Sequence, residues 1–304
     1  MADNFPILVT GANGQLGRLV IKALLDDLQV PAAQIIATSR SVESLTDLAA
    51  LGVVTRAADF NDPASLQVAF SGARRLLLIS TDAIDRPGVR LQQHRNAVAA
   101  AEAAGVSHVV YTSMPKPEPG SAITFAGDHY GTEQALATSN LSWTVLRNCW
   151  YMENLLMSVP HALQTGQWYS AAADGKIANI SRADCALAAA TALANDDFSN
   201  TTYTLTGAEA HTTAEMAAII SEVTGKPLQV IDIPDAALAE GLQAAGLPGF
   251  LIPVLVSFDT NTRLGGVADI SHDFTTLTGR QPLPFRDFVI ASKAALLGNQ
   301  TDVH

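Results

Sequence analysis

A short apolar run, Phe5 to Thr10, passes into "TGANGQLG" and then, from Leu16, into the helical pattern "LGRLVIKALLDDL". Gly11, Gly14 and Gly17 therefore stand between a strand and the helix that follows it. Three demands meet at that spacing: a turn with positive φ, a stretch of bare backbone that a pyrophosphate can approach, and a helix packed close on the sheet with its N-terminus toward the phosphates. The same residues also make an ordinary tight strand-to-helix connection, so the context decides.

The context repeats. "QIIATS", "VVTRAA", "RRLLLIS", "HVVYTS" and "SWTVLR" read as further strands, apolar enough to be buried on both faces, and "VESLTDLAAL", "PASLQVAF", "QQHRNAVAAAEAAG" and "GDHYGTEQALATS" read as the helices between them. Such alternation predicts an α/β fold, a Rossmann-type doubly wound parallel sheet with right-handed crossovers. After Arg147 the rhythm changes to irregular segments mixed with helices such as "RADCALAAATALA" and "TTAEMAAIISEVTG". Residues 1–150 are expected to form the dinucleotide-binding domain, and 151–304 mostly a smaller α/β lobe over the carboxyl edge of the sheet, with some segments returning to it. Met114 to Gly127, "MPKPEPGSAITFAG", is too rich in proline for a regular element and is expected to cover something.

Bulk properties exclude several classes. A net charge of −11 with dispersed acidic residues disfavours a broad phosphate-binding surface, so nucleic acid is a poor partner. Cys149 and Cys185 are too few for a disulfide framework and lack the spacing of a zinc site, which fits a reducing cytoplasm. The N-terminus has no basic segment before its apolar run and does not read as a secretory signal. The most apolar stretch, "LPGFLIPVLVSF" from Leu247 to Phe258, is too short for a bilayer and is expected to be buried or to wall a pocket. No membrane insertion is expected.

The second strand ends at "TSRS", which puts Arg40 where the ribose is selected. A carboxylate there would accept from the 2′-hydroxyl of NAD, whereas a guanidinium meets a 2′-phosphate with paired donors, so NADPH is the expected cofactor. After the third strand, "AADFND" puts Asp59 and Phe60 where an adenine would lie. Asp59 could equally cap the next helix, with Pro63 in its first turn.

The pieces "GANGQLG", "AADFND", "LLLIS", "QHRN", "YTS", "LRNCWYMEN", "AADGKIA", "RAD" and "LTG" come in an order that resembles the NmrA-like group of atypical short-chain dehydrogenases, and within it the type 2 NAD(P)H:quinone oxidoreductases, with the triphenylmethane reductases next. The resemblance runs from the first strand to about Leu247. It implies that Gly11, Asn13, Gly14, Gln15 and Leu16 form the phosphate loop, that Arg40 selects the 2′-phosphate, that Ser80 faces the riboses, and that Asn148 and Tyr151 flank the nicotinamide. It implies a substrate cleft between domain and lobe. A homodimer is one assembly left open.

At one position the chain departs from the pattern. Ordinary short-chain dehydrogenases pair a tyrosine with a lysine four residues on, the cation lowering the phenol pKa from about 10 toward working pH. Tyr130 has Gln134 in that place, with Ser113 where the partner serine would be. Tyr130 and Gln134 are thus the catalytic candidates, and the missing cation argues against reversible alcohol dehydrogenation. A quinone needs less acid help, because its reduced product is aromatic, and then alignment and exclusion of water suffice. Trp150, Tyr151 and Phe125 are the expected acceptor walls. His129 is a weaker candidate for a proton donor, and Cys149 reads as an inert buried thiol. Two functions follow: an NADPH-dependent reductase of a quinone or similar conjugated acceptor, or a non-catalytic NADP(H) sensor.

Overall fold

A computed structural model describes residues 5–298. Strands β1 (Ile7–Val9), β2 (Ile35–Ser39), β3 (Val54–Ala57), β4 (Arg75–Leu78), β5 (His108–Ser113) and β6 (Ser142–Asn148) lie side by side in the order β3-β2-β1-β4-β5-β6, all parallel. Between them run α1 (Gln15–Lys22), α2 (Thr46–Ala50), α3 (Pro63–Phe70), α4 (Val89–Ala103) and α5 (Ala126–Thr138). The arrangement is a Rossmann-like doubly wound sheet. Its strand order reverses between β1 and β4, and in such sheets ligands bind outside the carboxyl ends at that switch point.

Local chemistry explains the boundaries. β1, β4 and β5 are buried along their whole lengths, as parallel strands covered by helices on both faces must be. α3 starts at Asp62, whose carboxylate accepts from the Ala64 N–H, with Pro63 in the first turn. Asp62 is therefore the cap, and Asp59 is not. Asp59 instead accepts from the Asn61 backbone N–H at 2.9 Å in an Asx turn.

The second half contributes α6 (Leu155–Thr165), β7 (Gln167–Ser170), β8 (Lys176–Ile177), α7 (Arg182–Ala194), β9 (Thr201–Leu205), β10 (His211–Thr212), α8 (Thr213–Thr224), β11 (Gln229–Asp232), α9 (Asp235–Ala244), α10 (Leu251–Arg263), α11 (Asp273–Thr278), α12 (Phe285–Ala291) and α13 (Lys293–Leu296). β9 pairs parallel with β6 and makes the sheet seven-stranded, while the alanine-rich α7 packs against α1. β7 with β11 and β8 with β10 form two small ribbons outside that sheet.

Two contacts fasten the outer segments. A side chain at Gly207 would put its Cβ 2.1 Å from the Asn179 carbonyl oxygen, so only glycine lets the end of β9 approach that segment. Lys116, in the proline-rich loop, pairs with Asp269 at 2.8 Å and so ties the loop to the lobe. The apolar stretch before Phe258 is the start of α10, with Pro253 tolerated in its first turn and only one face buried. Among the described residues no helix is long and apolar enough to cross a membrane.

Candidate active site

The site is assembled from the loops at the carboxyl ends of β1 to β6. In the first loop Gly11 adopts φ +59°, and the Gly14 N–H donates to its carbonyl at 2.9 Å. A Cβ at Gly17 would lie 2.4 Å from the Gly11 oxygen, which is the close helix-on-sheet packing that the third glycine permits. α1 has Gly14 as its N-cap, no side-chain cap and no acidic residue in its first turn, so the N–H groups of Gln15 and Leu16 are left for an anion. This cradle fits the pyrophosphate of a dinucleotide.

Arg18, which sequence reasoning missed, anchors the cradle. Its guanidinium donates to Asn13 Oδ1 at 3.0 Å and to the Ser44 carbonyl at 2.8 Å, and it pairs with Asp47. Asn13 in the phosphate loop is thereby bound to the loop after β2. The exposed Arg40 stands at the end of β2, next to that same loop. Phe60 lies against the core at the end of β3, its carbonyl accepting from Asn96 Nδ2 at 2.9 Å, with Asp59 beside it. Ser80, just past β4, donates its backbone N–H to Thr112 Oγ1 at 2.9 Å.

Past β6, Asn148 Nδ2 donates to the Tyr151 hydroxyl at 3.2 Å, and the Arg182 guanidinium lies 4.9 Å from the centroid of the Tyr151 ring. Burial raises the Tyr151 phenol above its ordinary pKa and holds it neutral. Asn148 Oδ1 and Trp150 Nε1 are buried without partners. Two such unsatisfied polar atoms sit here just past one strand, where a bound molecule can supply their partners. Trp150 packs on Phe258 with ring centroids 5.0 Å apart, and Phe258 packs on Phe125 at 6.1 Å, over buried Met114 and Ile123. Trp150 and Phe125 are thus brought together by α10, whose Phe258 only the tertiary structure locates. Cys149 is buried, which pushes its thiol up to about 12 and leaves it inert at neutral pH.

α5 turns a different face inward from the one that Tyr130 and Gln134 occupy. His129, Thr132, Glu133 and Leu136 are buried, whereas Tyr130 is half-buried and Gln134 exposed. Ser113 donates to Glu133 Oε1 at 2.6 Å, and Arg147 holds the same carboxylate through two donors, at 3.1 and 2.7 Å. Ser113 is therefore committed to Glu133, and among the described residues no hydrogen bond joins the side chains of Ser113, Tyr130 and Gln134. His129, on the inward face, packs against the half-buried Phe125 just before α5, with ring centroids 5.8 Å apart.

His129 belongs to a buried network. Its Nε2 faces Arg90 Nη2 at 3.0 Å, and its Nδ1 faces the Tyr111 hydroxyl at 2.8 Å. His94 Nε2 receives the Thr81 backbone N–H at 3.0 Å, and its Nδ1 faces Thr132 Oγ1 at 2.9 Å. Arginine and backbone N–H groups only donate, so both Nε2 atoms must accept and both rings carry their single proton on Nδ1. Burial, helped by the Arg90 charge, lowers His94 to about 3 and His129 well below its ordinary value. Neither ring is an acid near neutrality.

The NmrA-like family model matches residues 4–268. Quinone oxidoreductase 2 of Escherichia coli is 40% identical over 90% of this chain and 93% of its own length. The solved structure of the NADPH-dependent quinone oxidoreductase of that organism, complexed with NADPH, superposes with a TM-score of 0.88 at 39% identity, covering 93% of this chain and 98% of that one. The triphenylmethane reductase of Citrobacter sp. superposes equally well, at 0.88 and 36% identity, over 95% and 99%.

Proposed function

The chain belongs to the NmrA-like family, and from that premise we infer that it is an NADPH-dependent reductase passing hydride to a quinone or a similar flat, conjugated acceptor. The observation that carries the reading is the aromatic cluster of Phe125, Trp150 and Phe258, together with the unpartnered Asn148 Oδ1 two residues before Trp150 at the carboxyl end of β6. When bound, NADPH supplies the hydride, from its nicotinamide C4.

The chain's own residues bind and align. Gly11, Asn13, Gly14, Gln15 and Leu16 hold the pyrophosphate, Arg40 meets the 2′-phosphate, and Asp59 and Phe60 flank the adenine. Ser80 faces the riboses, and Asn148 with Tyr151 fixes the nicotinamide through its amide. Trp150, Phe125 and Phe258 hold the acceptor ring flat and exclude water, and solvent completes the protonation after the ring has become aromatic. Tyr130 and Gln134 stay outside the chemistry. Two buried free thiols fit a cytoplasmic enzyme.

The sensor reading drew its support from Gln134, the cation missing from a catalytic pair. That support falls away when Gln134 lies on the exposed face of α5, for the missing cation then has no bearing on the site. The test is consumption of NADPH, run in parallel with NADH, against a panel of benzoquinones, naphthoquinones and a triphenylmethane dye. Saturable turnover preferring NADPH is expected. Tight NADPH binding by calorimetry with no turnover of any acceptor would overturn the reductase in favour of the sensor.

A further inference from the structure

Arg90 is an anomaly among the buried groups. It is 5% exposed, on α4, and its Nε donates to the Thr81 carbonyl at 2.6 Å while Nη2 faces the neutral ring of His129. Nη1 is buried and has no partner. Both acceptors it does have are uncharged, and the carboxylates of Asp82 and Asp128 offset less of its charge than burial penalises. A guanidinium does not neutralise itself in a protein, so a full positive charge stands in a low-dielectric region. Burying a charge this way is costly unless something is gained from it.

Its position says what is gained. Thr81 follows Ser80 at the cofactor end of β4, and the Arg90 guanidinium lies 5.1 Å from the centroid of the Phe125 ring, the wall that packs on Phe258. The charge thus sits directly behind the acceptor enclosure. It also sits against His129, the residue on the inward face of α5 that keeps no charge of its own.

We propose that Arg90 sets the charge class of the acceptor: its fixed positive field favours acceptors that gain negative charge on reduction over those that lose positive charge. The inference rests on the reductase reading. A quinone that receives hydride gains two electrons and one hydrogen nucleus and becomes a hydroquinone monoanion, which one proton from solvent then neutralises. A triphenylmethane carbocation that receives the same hydride forms one C–H bond at its central carbon and becomes a neutral leuco dye. In both cases the reduced nicotinamide is left oxidised. Positive charge behind the wall lowers the barrier to the first reaction and opposes binding of the second acceptor, by the preorganised electrostatics that stabilise a developing oxyanion.

The experiment compares the wild type with Arg90→Met and Arg90→Lys, each with NADPH against a benzoquinone and against a triphenylmethane dye. The ratio of quinone to dye kcat/KM should fall about tenfold or more in Arg90→Met, less than the hundredfold to thousandfold of losing a donor in direct contact with an oxyanion because Arg90 stands behind the Phe125 wall, and recover in Arg90→Lys. An equal fall for both acceptors marks Arg90 as a structural brace and overturns the proposal, as does an unchanged ratio. A readout without turnover keeps the two readings apart: the pKa of 4-nitrophenol bound in the presence of NADP+, read from its visible spectrum, should be depressed in the wild type and less so in Arg90→Met. Failure of the phenol to bind, or an equal pKa in both proteins, overturns the role of Arg90. A wild type that shows the depressed pKa yet reduces no quinone would keep the field and remove the reductase.

Discussion

Ser113 Oγ and Glu133 Oε1 are joined by a 2.6 Å hydrogen bond in which the serine is the donor, and both residues are buried. The bond decides what each residue can do. The serine proton is committed to a carboxylate that Arg147 also holds, and Arg147 reaches on to Glu118 of the proline-rich loop at 2.7 Å. Glu133→Ala should therefore cost about 2 kcal/mol or more, because it leaves the mostly buried Arg147 guanidinium with the half-exposed Glu118 as its one carboxylate partner, with a lower Tm and faster proteolysis of the loop around Glu118. Ser113→Ala should leave quinone kcat within about threefold, far from the hundredfold or more that a general acid contributes. A loss of that larger size would return Ser113 to the chemistry.

Gln134 is exposed while Glu133 beside it is buried. Gln134→Lys should then leave the kcat for simple ketones and for quinones unaltered, and Tyr130→Phe should do the same. Appearance of alcohol dehydrogenase activity in Gln134→Lys would mean that α5 presents its other face when cofactor is bound.

Arg40 has an exposed guanidinium at the end of β2, whereas Arg18 nearby is already taken up by Asn13, Ser44 and Asp47. Arg40→Asp should weaken NADPH about tenfold to hundredfold, the scale of charge-assisted hydrogen bonds to a phosphate, and leave NADH nearly as it was. Calorimetric titration with both nucleotides checks it. Equal losses for the two would remove Arg40 from the 2′-phosphate.

Acid should destabilise the fold before any carboxylate pair breaks. Burial lowers His94 to about 3 and His108 to about 4, and His129 also lies well below its ordinary value. The folded pKa values are below the unfolded one of about 6.5, so between roughly pH 6.5 and 4 the unfolded chain takes up protons that the native state refuses. Stability is full above pH 6.5 and falls as pH drops, by about 1.4 kcal/mol per pH unit for each such histidine. Urea midpoints across this range measure the slope, which His94→Asn should make shallower. A flat profile would mean that the rings become charged in place.

The strands and glycine turn were legible because each obeys a local rule. "HVVYTS" matches β5 residue for residue and "PASLQVAF" matches α3, since an apolar run and a Pro in a first turn are short-range signals, although the cap is Asp62 and not the expected Asp59. The face of α5 was not legible: the Tyr130–Gln134 spacing is helical, but helical spacing says only that two residues share a face, not which face the sheet will cover. Phe258 and Arg18 were not legible either, for their partners lie far along the chain, Trp150 for one and Asp47 for the other.

By itself, then, the sequence determined a doubly wound sheet with a dinucleotide turn, because strand burial, helix periodicity and glycine geometry act over a few residues. Only the tertiary structure decided which polar groups face the crevice and which are spent on one another. Ser113 is bound to Glu133, His129 is held neutral by burial against Arg90, and Arg90 is left with an unpartnered Nη1. Donors and acceptors are satisfied by whatever packing brings within 3 Å or so, and that is fixed by the whole fold rather than by spacing along the chain.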